Sequence, residues 1–112
     1  MSADATVDLI INQKSSFQAT FTVKDNGSVL DLTGYTATAK YKQTHQAPDN
    51  QSVSITAAIA NAVSGHVSIS LSANETSLLQ AGKYVYDVAI IDSTGFKTRI
   101  VEGNMRVSPG VA

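Results

Sequence analysis

The stretch Gly82–Val107, GKYVYDVAIIDSTGFKTRIVEGNMRV, constrains the fold more than any other part of the chain. Tyr84, Tyr86, Val88 and Ile90 fall on one face of an alternating strand, and Val85, Asp87, Ala89 and Ile91 on the other. Asp92-Ser93-Thr94-Gly95 has Asp first and Gly last, which is type I turn chemistry with Gly95 free to take positive φ. The return strand runs from Phe96 through Ile100 to Val107, and Gly103 within it predicts a bulge or bend. So long a hairpin cannot stand alone in water, so its apolar face demands a second sheet.

The rest of the chain repeats this grammar. Val7, Leu9 and Ile11 begin a first strand, and Phe17, Ala19, Phe21 and Val23 alternate cleanly with polar residues in a second. Asp25-Asn26-Gly27-Ser28 is a hairpin signal. Leu32-Thr33-Gly34-Tyr35 makes a corner before a third strand, Thr36 to Gln43, with Ala37, Ala39 and Tyr41 on one face. His45 to Ser52, HQAPDNQS, reads as an exposed loop. Val53, Ile55, Ala57 and Ile59, then Val67, Ile69 and Leu71, give two more strands. Ser72-Ala73-Asn74-Glu75 fits a capping box, which predicts one short helix near residues 73–80 with Leu78 and Leu79 facing inward and Gly82 as its stop.

About seven short strands with turn signals every 8–12 residues is the pattern of an all-β, Ig-like antiparallel β-sandwich, with a small barrel as the alternative. The 112 residues suffice for one domain, 1–112, with flexible ends expected at about 1–5 and 108–112. The expected core comprises Phe17, Phe21, Val53, Ile55, Val67, Ile69, Leu78, Tyr86, Val88, Ile90 and Ile100. The segment Met1 to Ile11 is expected either to reach a neighbouring subunit or to form the edge strand of its own domain.

The chemistry that the sequence offers is sparse. There is no cysteine, so disulfides, thiolate metal sites and thiol catalysis are excluded. A net charge of −1 with few charged residues gives no basic footprint for nucleic acid. Apolar runs are too short for a membrane-spanning helix, and MSADATVDLI lacks the basic and apolar regions of a signal peptide. His45 and His66, the two histidines, stand far apart without metal-ligand spacing, and surface histidine is the better reading. Asp25-Asn26-Gly27 and Asp92 with Gly95 do not supply the oxygen ligands of a calcium loop. Nucleophile elbows and phosphate loops are missing. Asp87, in the strand expected to be most buried, must face out or be paired, and Arg99 is the first partner and Lys97 the second. Tyr84 and Tyr86 read as core or rim residues rather than a sugar-stacking pair. The expectation is no enzyme, with catalytic, cofactor and metal residues all absent.

Four segments carry a family resemblance: Leu32-Thr33-Gly34-Tyr35-Thr36; Leu71-Ser72-Ala73-Asn74-Glu75-Thr76-Ser77-Leu78-Leu79; Gly82-Lys83-Tyr84-Val85-Tyr86-Asp87-Val88; and the ending Asp92-Ser93-Thr94-Gly95, then Glu102-Gly103, then Val107-Ser108-Pro109. Together they resemble small β-sandwich virion structural proteins of tailed bacteriophages, similar to the N-terminal module of phage baseplate and receptor-binding proteins. The resemblance spans about residues 29 to 109 and brings no catalytic residues with it. It implies a virion location and a structural role by multi-copy assembly, with other virion proteins and further copies of itself as partners, and neither nucleic acid nor membrane insertion. After Val107 comes only Ser-Pro-Gly-Val-Ala, so the expectation is a tail or baseplate adaptor, or a capsid decoration subunit, rather than a host-binding fibre. The alternative expectation is an Ig-like binding module for a host-surface carbohydrate or protein.

Overall fold

A computed structural model describes residues 5–25, 27–44 and 46–110, with only the backbone of Ala5, Asp25 and Asp49. The elements are β1 (Ala5–Thr6), β2 (Leu9–Asn12), β3 (Phe17–Thr22), β4 (Lys24–Asp25), β5 (Ser28–Val29), β6 (Thr36–Lys42), β7 (Val53–Asn61), β8 (His66–Leu71), α1 (Ala73–Ser77), β9 (Gly82–Ile91) and β10 (Lys97–Ser108). The fold is all-β. One mixed sheet runs β1-β10-β9-β6-β7-β8-β3, with β2 also on β10, and it curls until it is nearly barrel-shaped. β4 and β5 form a separate two-stranded hairpin.

The long hairpin is the middle of this sheet. β9 pairs with β10 on one side and β6 on the other, so it has no open edge. Its inward residues Tyr84, Tyr86, Val88 and Ile90 are all buried. The Asp92 turn forms as its chemistry dictates: Gly95 takes φ +92°, and the Thr94 and Phe96 N–H groups donate to Asp92 Oδ1 at 2.8 and 3.0 Å. β7 carries the sheet around the curl. Its first residues pair with β6 and its later ones with β8.

Two features depart from a purely antiparallel plan. First, β1 and β2 run parallel to β10, Ala5 opposite Val101 and Leu9 opposite Met105. The N-terminal segment is thus the edge of its own sheet. Second, the bulge in β10 falls between Arg99 and Val101, while Gly103 keeps register opposite Tyr86. One extra residue at Ile100 reverses the side-chain parity of the strand. Val101, Met105 and Val107 turn inward as a result, and all three are buried. Gly103 serves a different purpose. A Cβ there would lie 2.1 Å from the Val7 carbonyl oxygen, so the residue admits the backbone of the neighbouring strand.

The core differs from the expected set at its rim. Ile55, Val67, Ile69, Tyr86, Val88, Ile90 and Ile100 are buried as expected. Phe17 and Phe21 are half-buried and pack against the core, because β3 is an edge strand with no neighbour on one side among the described residues. Val53, at the start of β7, is 46% exposed. Leu78 is 84% exposed, because the helix ends at Ser77 and Leu78 is its C-cap. The capping box itself forms, with Ser72 Oγ accepting from the Glu75 N–H and Glu75 Oε1 from the Ser72 N–H. Leu79 faces inward as expected and Thr76 takes the place of Leu78, the Thr76 hydroxyl donating to the Ser15 carbonyl at 2.9 Å. Ile11, Leu32, Met105 and Val107, all fully buried or nearly so, also belong to the core. The expected loose ends fall mostly on residues 1–4 and 111–112, outside the described residues; of the remainder, Ala5 lies in β1, Ser108 closes β10, and the Gly110 N–H donates to Gln13 Oε1.

Candidate functional site

Register decides what the outer face of the central strands presents. Lys40 and Glu102 both stand opposite Asp87, Lys42 opposite Val85, Arg106 opposite Lys83, Arg99 opposite Ala89, and Lys97 opposite Ile91. All lie on the face opposite the buried Tyr84-Tyr86-Val88-Ile90 row. Six of the eight cations of the chain therefore share one sheet face; the other two are Lys14 and Lys24. Among the described residues, Asp87, Glu102 and Asp8, which accepts from the Asn104 N–H, are the carboxylates there. Six against three leaves a formal +3 among the described side chains of this face, in a chain whose net charge is −1.

The middle of this face is a groove of about 400 Å³, bordered by Lys40, Lys42, Lys97, Arg99, Asp87 and Glu102. Arg99 organises it. Its Nη1 is 3.1 Å from Glu102 Oε2 and 3.9 Å from Asp87 Oδ2. The expected Asp87–Arg99 pair thus exists, but Glu102 has the closer claim. Two carboxylates set directly across a ladder would repel, and the guanidinium between them removes that penalty. All three side chains are about half exposed, so the cluster adds little to stability and remains open to a ligand.

Behind this face lies a polar junction that is structural. The Tyr86 hydroxyl donates to the Val7 carbonyl at 2.5 Å. Val7 N–H donates to the Glu102 carbonyl at 2.9 Å, and the Asn104 N–H to Asp8 Oδ1 at 3.2 Å. Burial, and secondarily the negative charge of Asp8, push the Tyr86 phenol up to about 12. Tyr84 donates to the Gln80 carbonyl at 2.9 Å and meets Tyr41 edge-on, ring centroids 5.4 Å apart. Both tyrosines are buried and hydrogen-bonded into the fold; neither offers a free ring face to a sugar.

His66 lies half-buried at the start of β8. His45 and the side chains of Asp25 and Asn26 lie outside the described residues. Among the described residues, no group of three His, Cys, Asp or Glu side chains could hold a metal. The Asp92 carboxylate is spent on its own turn, chiefly by the Thr94 hydroxyl at 2.6 Å, and these bonds hold its pKa below the usual carboxylate range. Asp31 does the same with the Thr33 hydroxyl and N–H. Asp31-Leu32-Thr33-Gly34-Tyr35 and Asp92-Ser93-Thr94-Gly95-Phe96 are thus one turn used twice, leading into β6 and β10 on either side of β9.

A second surface is the far edge of the sheet. β3 pairs with β8 along one side and ends the strand order. Its sequence, Phe17-Gln18-Ala19-Thr20-Phe21-Thr22, has neither charge nor proline. Natural edge strands usually carry Lys, Pro or a bulge that discourages further pairing.

No family model matches the chain, and no curated protein matches it. Among solved structures it is similar to a Listeria monocytogenes internalin-like protein, at 16% identity and a TM-score of 0.47, over 97% of this chain. The chain spans only 29% of that protein's length.

Proposed function

We propose that this chain is a non-enzymatic structural subunit of a tailed-bacteriophage particle, a tail or baseplate adaptor or a capsid decoration protein, acting by multi-copy assembly. The observation that carries this reading is the β3 edge, which ends the strand order among the described residues and whose uncharged side chains suit addition of a strand from a neighbour. The four sequence segments similar to phage virion proteins supply the biological setting. The finer architecture belongs to the same proposal: an Ig-like sandwich with β10-β9-β6 in one layer, β8-β3 in the other, and β7 crossing between them. That layering is supported by the change of partner along β7.

The test is assembly. The purified chain is followed by light scattering across a concentration series, and its incorporation into particles by electron microscopy. Thr20→Lys with Gln18→Lys places two exposed charges on the β3 edge. The expected result is loss of association with an unchanged melting temperature. Undiminished assembly by the doubly charged variant would overturn the edge as the contact. A chain that stays monomeric and enters no particle would overturn the role. A second reading, an Ig-like module that binds a host-surface carbohydrate or protein, is favoured by one observation, the charged groove over β6, β9 and β10.

A further inference from the structure

We propose that the outer face of β6, β9 and β10 binds an acidic oligosaccharide, one whose sulfate or carboxylate groups are spaced along a hydroxyl-rich chain. The proposal rests on the groove and the charge asymmetry, and it takes the second reading above from a general binding module to a ligand class. It is independent of the virion role.

Three observations lead to it. The first is segregation: six cations sit on one sheet face and two on the remainder of the chain. A field of one sign concentrated on a concave surface attracts counter-charged ligands, even where the whole chain is slightly negative. The second is how the charges are distributed within the groove. Asp87 and Glu102 lie at its middle, bridged by Arg99, while Lys40, Lys42 and Lys97 come from the flanking strands. A uniformly anionic rod such as duplex DNA would set phosphates against those two carboxylates. An acidic sugar chain supplies both complements, anionic groups for the ammonium and guanidinium donors and hydroxyl donors for the carboxylate oxygens. The third is that the aromatic residue lining the groove, Tyr86, has its ring committed elsewhere. It is buried with its hydroxyl on Val7, so it offers neither nucleobase stacking nor a neutral-sugar platform. Charge and hydrogen bonding are what the side chains lining the groove offer for recognition.

Lys40 and Lys97 are the residues to change, because they reach the groove from β6 and β10, on opposite sides of β9. Binding is measured by calorimetry with four probes of matched length: a heparin fragment, an oligogalacturonate, duplex DNA and polyglutamate. The heparin fragment and the oligogalacturonate separate sulfate from carboxylate as the anion. At least one of them is expected to bind, more weakly as salt rises. Lys40→Glu with Lys97→Glu should reduce that affinity on the order of tenfold or more. Lys14→Glu with Lys24→Glu, changing the two cations outside this face, should leave it unchanged, with melting temperatures of both variants confirming the fold. Glu102→Gln should weaken the saccharide, which loses a charged acceptor, and strengthen DNA, which loses a repulsive charge. Several results would overturn the proposal: neither saccharide binds; DNA or polyglutamate binds as tightly as the saccharides; the Lys14 and Lys24 variant loses as much affinity as the groove variant; or Glu102→Gln moves saccharide and DNA binding in the same direction. None of these results bears on assembly through β3, which its own edge variants test.

Discussion

Replacing Gly103 by Ala should cost far more than its place in an ordinary strand suggests. The backbone there is regular, so Ala meets no conformational penalty, and reduced freedom of the unfolded chain alone would favour Ala by about 0.5–1 kcal/mol. The added methyl would, however, stand 2.1 Å from the Val7 oxygen and 2.8 Å from its carbonyl carbon. Both are backbone atoms, so relief requires the N-terminal strand to move by more than an ångström. Such a shift strains two hydrogen bonds at once, Tyr86 hydroxyl to Val7 carbonyl and Val7 N–H to Glu102 carbonyl. Overpacking costs about 1–3 kcal/mol and each disrupted hydrogen bond about 1 kcal/mol more. Net of the entropy gain, the expected loss is about 3 kcal/mol. At about 4–8 °C per kcal/mol, the melting temperature should drop by about 12–24 °C. Urea titration followed by circular dichroism gives the number. Gly95→Ala is the comparison: φ of +92° but nothing within 4 Å, so only the left-handed backbone cost of about 1–2 kcal/mol applies. A loss under 1 kcal/mol for Gly103→Ala would refute the close approach of β1 and β2 to β10. Combined with Tyr86→Phe, the two losses should fall short of additive, because both act on Val7.

Other outcomes follow from the same contacts. Tyr86 favours its neutral form in the fold, so its contribution to stability is fully present below pH 10 and is lost as pH rises towards about 12; Tyr86→Phe should flatten the fall in melting temperature over that window. Ile69→Ala should cost about 2–5 kcal/mol in denaturant, since Ile69 is fully buried on β8, whereas Leu78→Ala should stay within about 0.5 kcal/mol. Ser72→Ala should cost about 1 kcal/mol through its cap and leave the slope of the urea transition unchanged.

The sequence by itself determined whatever depends on neighbours along the chain. Period-2 alternation placed the β9 side chains, Asp-x-x-Gly shaped the turn at Asp92, and the Ser72 and Glu75 spacing made the capping box. The Asp87–Arg99 contact was also legible, because a hairpin brings its own strands together and a carboxylate there needs a partner. Tertiary structure alone decided whatever depends on distant segments. That β1 and β2 join β10 in parallel rests on pairings across nearly the whole chain, which no local pattern encodes. Gly103 announced an irregularity, but only the arrival of Val7 explains it; the bulge lies at Ile100, where two consecutive buried apolar residues were the signal available. Phe17 and Phe21 alternate as perfectly as any core pair, yet they sit half-buried because alternation gives the face of a strand and not its position in the sheet. The basic face was invisible for a related reason. Its six cations come from three strands in a chain of net charge −1, and only the register between those strands collects them onto one surface.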